Sequence, residues 1–270
     1  MRLISWNVAG RVKRCEQQVS LISGRKPDII ALQEITQNSF SLFENLLKEV
    51  GCEYIIESAQ LAYDSGRRYG ELIASRFPIE KLPSSEFIIP YPERVLSANI
   101  NTSWGLIELH TTHIPPGSSN GWIKIDTFEG IYNRLACSSD IHRILCGDFN
   151  SPQLEKPDGT VVTWGQKVKE NGEIYVQRNY QRWDSGERNV IEGLAVFDLP
   201  DVYRSLNGYQ VQEFSWLLMR KGEVIARRRF DHIFASNKLN PVECNYLHDF
   251  RESGNSDHSA IESFFNPTKP

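Results

Sequence analysis

Several shortages in this sequence each close off a class of protein. No stretch approaches the roughly eighteen consecutive apolar residues of a membrane-spanning helix, so a membrane protein of that kind is excluded. The first residues, MRLISWNVAG, turn polar too soon for a secretory leader, and a cytoplasmic protein with no membrane association is expected. The cysteines (Cys15, Cys52, Cys137, Cys146, Cys244) are odd in number, scattered and without a C-x-x-C pair. They offer no zinc knuckle or redox dithiol and are expected as reduced core residues. Positive charge is not in excess: the net charge of −4 argues against coating nucleic acid or anionic lipid through bulk charge, although it leaves a local basic patch open. No repeat of fixed period and no long linker-like stretch divides the chain, so residues 1–270 are expected to form one domain and a monomer.

What is present is 40% apolar and 24% charged, an ordinary globular balance with length enough to bury an ample core. Short β-rich runs recur (RLISWNV, DIIALQEI, EYIIES, ELIAS, VLSANIN, GLIELHTTHI, RILCGDF, FDHIFAS, AIESFF), most of them bounded by Gly, Pro, Asn or Asp. Helical spacing links Val19 with Ile22, then Phe40, Phe43, Leu46 and Leu47, and later Ile125, Phe128, Tyr132 and Leu135. Some strands are continuously apolar and others alternate, which fits an α/β fold of two sheets packed face to face with helices outside them. Residues 151–190 are polar and rich in glycine and charge, and are read as an irregular surface excursion near the site.

Chemistry-bearing side chains sit at the ends of the apolar runs. In ILCGDFN, Gly147 is expected to let the backbone leave the sheet so that Asp148 and Asn150 emerge at its tip. Asn7, Glu34, His113, Asp231 and the pair Asp257–His258 stand at comparable places in five further segments. Gathered at one edge, they suit hydrolysis of a phosphoester. Glu34 and Asp257 are candidate ligands for a hard divalent cation. Asp148, oriented by Asn150 and Asn7, is a candidate base for water. His258, held by Asp231, is a candidate donor to the phosphoryl oxygens. Taken singly, Asn7 reads as a turn cap, and His113 reads as a core histidine as readily as a pocket group. His110 is placed on the same face as His113 without a role, and His142 and His248 are read as solvent-facing.

In chain order, SWNVAG, ALQE, YGELIASRFPI, HIPPG, LCGDFNSP, FDHIFAS and SDHSAI resemble the endonuclease/exonuclease/phosphatase superfamily of DNase I-like phosphoesterases. The resemblance spans nearly the whole chain, from Asn7 to His258. It implies a four-layer sandwich, a two-sheet mixed β-sandwich flanked by helices, and a Mg²⁺-dependent or Mn²⁺-dependent phosphoesterase with Asn7, Glu34, Asp148, Asn150, Asp231, Asp257 and His258 on the family's catalytic and metal positions. Other stretches are similar to exonuclease III-like abasic-site endonucleases. NGWIKI nominates Lys124 near substrate phosphate, ERVLSANI nominates Arg94, and the segment ending in EFSW nominates Trp216 for a sugar or base pocket, although Trp216 also reads as a core residue.

Two departures bear on substrate. His113 replaces a tyrosine usual in the exonuclease III-like branch, and Ala9 replaces an acidic or amide residue. The expected activity is that of a DNA nuclease of the abasic-site endonuclease or 3′ exonuclease type, supported by the basic clusters RVKR (11–14), RR (67–68) and RRR (227–229). The alternative is a phosphatase or phosphodiesterase for a small or lipid-linked phosphoester, favoured by the acidic balance and His113. A binding module without catalysis is disfavoured by the complete set of acids and histidines.

Overall fold

The structure is a computed structural model that describes residues 1–267. In chain order, the strands of its two large sheets are Arg2–Asn7 (β1), Ile29–Ile35 (β2), Tyr54–Glu57 (β3), Gly70–Ser75 (β4), Ile79–Lys81 (β5), Val95–Thr102 (β6), Gly105–His113 (β7), His142–Asp148 (β8), Asp231–Ala235 (β9), Pro241–Leu247 (β10) and Ala260–Phe265 (β11). One sheet runs β10-β11-β1-β2-β4-β3 and the other β9-β8-β7-β6-β5. The sheets are mixed. Two parallel pairs, β1 with β2 and β7 with β8, are each joined by a crossover carrying a helix, as parallel neighbours require.

Period-2 alternation builds the layers. Leu3, Ile29, Ala31 and Ile73 of the first sheet face Leu109, Ile144, Cys146 and Ile233 of the second. The opposite side chains of the first sheet, Ile4, Trp6, Ile30 and Leu32, pack under the helices Cys15–Arg25 and Gln37–Glu49 through Val19, Ile22, Phe43 and Leu47. Thr36 and Ser39 form a reciprocal capping box that starts the second of these helices, so its Phe43/Leu47 face is set by its own N-terminus. On the far side, Phe128, Ile131 and Val190 from the helices Ile123–Leu135 and Gln181–Ile191 cover Leu145 and Phe234. This is the expected four-layer architecture. Four cysteines are buried, Cys137 is exposed and all are free thiols. Among the described residues no helix is long and apolar enough to cross a membrane.

Four expectations are corrected. Residues 151–190 are not an irregular excursion: they form the hairpins Leu154–Glu155/Val161–Val162 and Gln166–Val168/Ile174–Val176, then the helix Gln181–Ile191. That helix buries Trp183, Gly186, Glu187, Val190 and Ile191 at helical spacing, a stripe hidden from hydropathy by its glycine and glutamate. Gly147 does not release the chain either, because β8 continues through it to Asp148 and pairs Thr112 with Gly147. Glycine is needed because φ is +134° and a Cβ would lie 1.9 Å from the Thr112 carbonyl oxygen. His110 and His113 are three residues apart and so face opposite sides of β7. His110 bonds Ser97 and Glu108 beneath Phe87, whereas His113 faces the site. His248 is not simply solvent-facing, since it bonds Glu213 and Ser259, and His142 is half-buried.

Behind the site lies a buried ion network. Glu155 accepts from Arg204 (2.6 Å) and twice from Arg229 (2.6 and 2.7 Å), and Arg229 also donates to Asp201 (2.7 Å). His232 bridges Asp201 and the Ser151 carbonyl. The network thereby ties the loop after Asn150 to β9. Burial alone would raise the Glu155 pKa, but Arg229 and Arg204 hold it down at about 2, and Arg229 with His232 likewise holds Asp201 well below the usual carboxylate range. Both folded pKa values lie below the unfolded ones, so the stabilisation is complete above about pH 5 and drains as pH falls toward about 2. Melting temperature should therefore drop steeply across that window. Glu155→Gln should flatten its share of the acid limb, roughly 3 kcal/mol, and be destabilised at neutral pH by about 3–5 kcal/mol because buried Arg204 loses its carboxylate partner and Arg229 keeps only Asp201. Thermal melts of both proteins between pH 2 and pH 8 check this, and an acid limb unchanged in the variant would contradict it.

Candidate active site

Both sheets deliver polar groups to the same end of the sandwich. β1 ends in Asn7, β7 in His113 and β8 in Asp148, while β9 begins with Asp231 and Asp257–His258 immediately precede β11. Register places His113 and Asp231 on either side of Asp148. Glu34 reaches the site through an irregularity: pairing of β2 with β4 skips between Leu32 and Ile35, and Glu34 takes φ +61°. A left-handed non-glycine residue costs of order 1 kcal/mol or more, and here that conformation carries the carboxyl into the site.

Asn7 joins the two sheets. Its Nδ2 donates to Asp148 Oδ2 (2.9 Å) and to Glu34 Oε1 (3.2 Å), and its Oδ1 accepts from the Ala9 amide (2.9 Å), which assigns the orientation of the carboxamide. Asp148 Oδ1 accepts from the Asn150 amide (2.9 Å). The Nε2 atoms of His113 and His258 each lie 3.7 Å from Asp148 Oδ2. Arg94 Nη1 donates to His113 Nδ1 (2.5 Å). The proton of neutral His113 is therefore on Nε2, between Asp148 and Glu34. His258 Nδ1 lies 2.8 Å from Asp231 Oδ2.

Burial and charge then divide the groups. Burial, with the charges of Arg94 and His258, pushes the His113 pKa well down and keeps the ring neutral. Burial opposes a charge on His258 too, but Asp231 and Asp148 overcome it and raise its pKa to about 10. Burial raises the Asp148 carboxyl to about 7 against the pull of His258. Burial also raises Glu34, and the nearby Asp257 adds to that while Asn7 and His258 oppose it.

These groups line a cavity of about 770 Å³ shared with Asp257, Arg94, Asn150 and Trp216. Trp216 is at the wall and not in the core: its ring stacks on Phe230 and its Nε1 donates to Asp257 (3.3 Å). Asn150 turns its amide to the Ile114 carbonyl. Lys124 is placed differently from expectation. Its ammonium is buried at the cavity wall, bonded to Glu187 (2.7 Å) and the Asn150 carbonyl (2.9 Å). Glu187 in turn accepts from the Trp164 amide and from Trp183 Nε1. The basic clusters also disperse: Arg67 is paired with Glu93, Arg229 is buried in the ion network, and Arg228 reaches the cavity. Sequence reasoning missed Tyr69, Trp164 and Tyr180 in the wall, and no strand-end signal marked them. It also missed Glu71, which is fully buried with neither carboxyl oxygen bonded.

The donor set suits a divalent cation. Ligand atoms of Asp148, Asp231 and His258 lie within 4.8 Å of one another, but His258 and Asp231 already bond each other, and a protonated imidazole has no lone pair to give. Glu34 and Asp257 fit better. They are neighbouring carboxylates at the cavity wall, Glu34 has a single bond from Asn7, and hard oxygen ligands are what Mg²⁺ and Mn²⁺ prefer.

A family model described as the endonuclease/exonuclease/phosphatase family matches residues 4–258. No curated protein matches the chain. Solved structures share the fold at low identity. An abasic-site (AP) endonuclease from Archaeoglobus fulgidus is 21% identical with TM-score 0.68, covering 98% of this chain and 99% of that one. A 3′ phosphatase from Neisseria bound to a product DNA hairpin is 19% identical with TM-score 0.69 over 98% and 99%. D. rerio TDP2 complexed with a single-strand DNA product is 18% identical with TM-score 0.67 over 98% of both chains.

The placement of Lys124 has a direct test. Lys124→Ala should lower stability by about 3–5 kcal/mol, because Glu187 would be left buried without its counter-ion. Denaturant titration measures it. A fully stable variant that loses only substrate affinity would restore Lys124 to the substrate.

Proposed function

The chain belongs to the endonuclease/exonuclease/phosphatase family, whose members are hydrolytic phosphoesterases, and we propose that it cleaves phosphodiester bonds of DNA as an abasic-site endonuclease or 3′ exonuclease. The observation that carries the reading is the surroundings of Asp148 Oδ2, which Asn7, His113 and His258 approach while the same Asn7 amide holds Glu34. Asp148 takes the proton of the attacking water, with Asn7 and the Asn150 amide fixing the direction of its lone pairs. The water oxygen forms a bond to phosphorus as the bond to the leaving oxygen breaks. Charge that grows on the non-bridging oxygens meets His258, kept charged and aimed by Asp231, and the neutral Nε2–H of His113.

Glu34 and Asp257 would hold a divalent cation, which supplies Lewis-acid stabilisation of the phosphoryl and leaving oxygens when bound. Arg94 keeps His113 in its tautomer and adds positive charge at the cavity wall. Trp216 offers a flat face beside Asp257 for a sugar or base. The neighbouring folds titled as an AP endonuclease and a DNA-bound 3′ phosphatase support the DNA reading at the level of analogy. Hydrolysis of a small phosphoester is a second reading, favoured by His113 in place of the tyrosine of the exonuclease III-like branch.

The test is a metal-dependent assay on an abasic duplex, a plain duplex and a small phosphomonoester. Asp148→Asn should lose about 10²–10⁴ in kcat with an unchanged fold, and chelation should abolish turnover until Mg²⁺ or Mn²⁺ is restored. Turnover of the monoester alone would shift the assignment to the second reading. Full activity in chelator would remove the cation from the reaction.

A further inference from the structure

Part of the cavity wall lies outside the strand ends and is built by the 151–190 segment and the hairpin Trp216–Arg220/Glu223–Arg228. Trp164 is half-buried there, with its Nε1 donating to the Asn150 carbonyl (3.0 Å), so its ring is fixed to a residue already in the site. Tyr180 lines the same cavity, over a third exposed, with its ring centroid 5.7 Å from that of Trp183. Two cations sit over the Trp164 ring, the Arg228 guanidinium from the hairpin at 5.6 Å from its centroid and the Glu187-paired Lys124 ammonium at 5.7 Å.

Few cations line the cavity itself. Lys124 is neutralised by Glu187, and Arg182, outside the wall, by Asp126 and Glu129. Arg94 and Arg228 are the cavity-lining guanidiniums with no carboxylate partner among the described residues. A protein that tracks a duplex typically contacts about six to ten phosphates, and its affinity falls steeply with salt. Two lining guanidiniums without a carboxylate partner, together with the aromatic lining residues Trp164, Tyr180 and Trp216, suit the other mode of binding, in which unpaired bases stack on aromatic side chains.

We propose that Trp164, Tyr180 and Arg228 form a subsite for an unpaired nucleotide next to the scissile phosphate, the rings taking its base and Arg228 its phosphate. The preferred substrate is then a single-stranded or frayed end of nucleic acid and not an intact duplex. The inference rests on the nuclease reading of the site and narrows it to the 3′ exonuclease alternative, for which an abasic strand is not the preferred substrate.

The experiment compares Mg²⁺-dependent cleavage of three probes of equal length: a single-stranded oligothymidylate, the same strand wholly abasic, and a blunt-ended hairpin duplex. Wild-type KM for oligothymidylate should be lower than for the abasic strand by about tenfold or more. Trp164→Ala should bring that ratio close to one, with the effect falling on KM, and Trp164→Phe should keep most of it because the stacking face remains. The logarithm of KM for the single strand should rise with the logarithm of salt at a slope of about 1.4, and Arg228→Ala should reduce that slope by about 0.7.

Equal KM for the base-bearing and base-free strands in the wild type, or a hairpin preferred with a steep salt slope, would overturn the subsite. Collapse of the ratio in Trp164→Phe as well as in Trp164→Ala would assign Trp164 to packing and overturn its stacking role. Failure of the nuclease reading looks different: none of the three probes is cleaved, while a phosphomonoester such as p-nitrophenyl phosphate is turned over with Mg²⁺.

Discussion

The Asn7 carboxamide is the constraint on which the site depends. One amide nitrogen donates to carboxylates from both sheets, Glu34 from β2 and Asp148 from β8, while its oxygen is tied to the Ala9 backbone. Two acids that would otherwise repel each other are thereby held by one neutral amide, while the charge of His258 acts on both. The two imidazoles can then specialise: His258 carries charge against Asp231, and His113 stays neutral against Arg94. Without that bridge the sheets would still pack through Leu3, Ile144 and their neighbours, but the ends of the strands would have no common origin.

Outside this centre the protein uses full ionisation to brace its loops. Glu155, Asp201, Arg204 and Arg229 are almost wholly removed from solvent, and such groups persist only when each has a partner of opposite sign. The Lys124–Glu187 pair does the same under Asn150. The residues that follow Asp148 are therefore held by one ion network on each side. That accounts for how a polar, glycine-rich segment can form a fixed wall of the cavity.

The strand runs and the strand-end acids were legible in the sequence because each is a local pattern: an apolar run, then a group that no core would accept unpaired. What failed to show were features that depend on partners far along the chain. Glu187 looks like surface until Lys124, Trp164 and Trp183 are brought to it, and so the stripe of helix Gln181–Ile191 was unreadable. The run Arg227–Arg229 reads as one basic patch, yet Arg227 is exposed, Arg228 reaches the cavity, and Arg229, one residue beyond the strand, is buried against Glu155 and Asp201. Gly147 was singled out for the wrong reason, since only the approach of the Thr112 carbonyl explains it.

The left-handed backbone at Glu34 carries a further consequence. Glycine at this position would relax the main chain, yet it would delete the carboxylate, and every other residue with a side chain would inherit the strain. Selection for thermal robustness and selection for turnover therefore pull in opposite directions at this one codon.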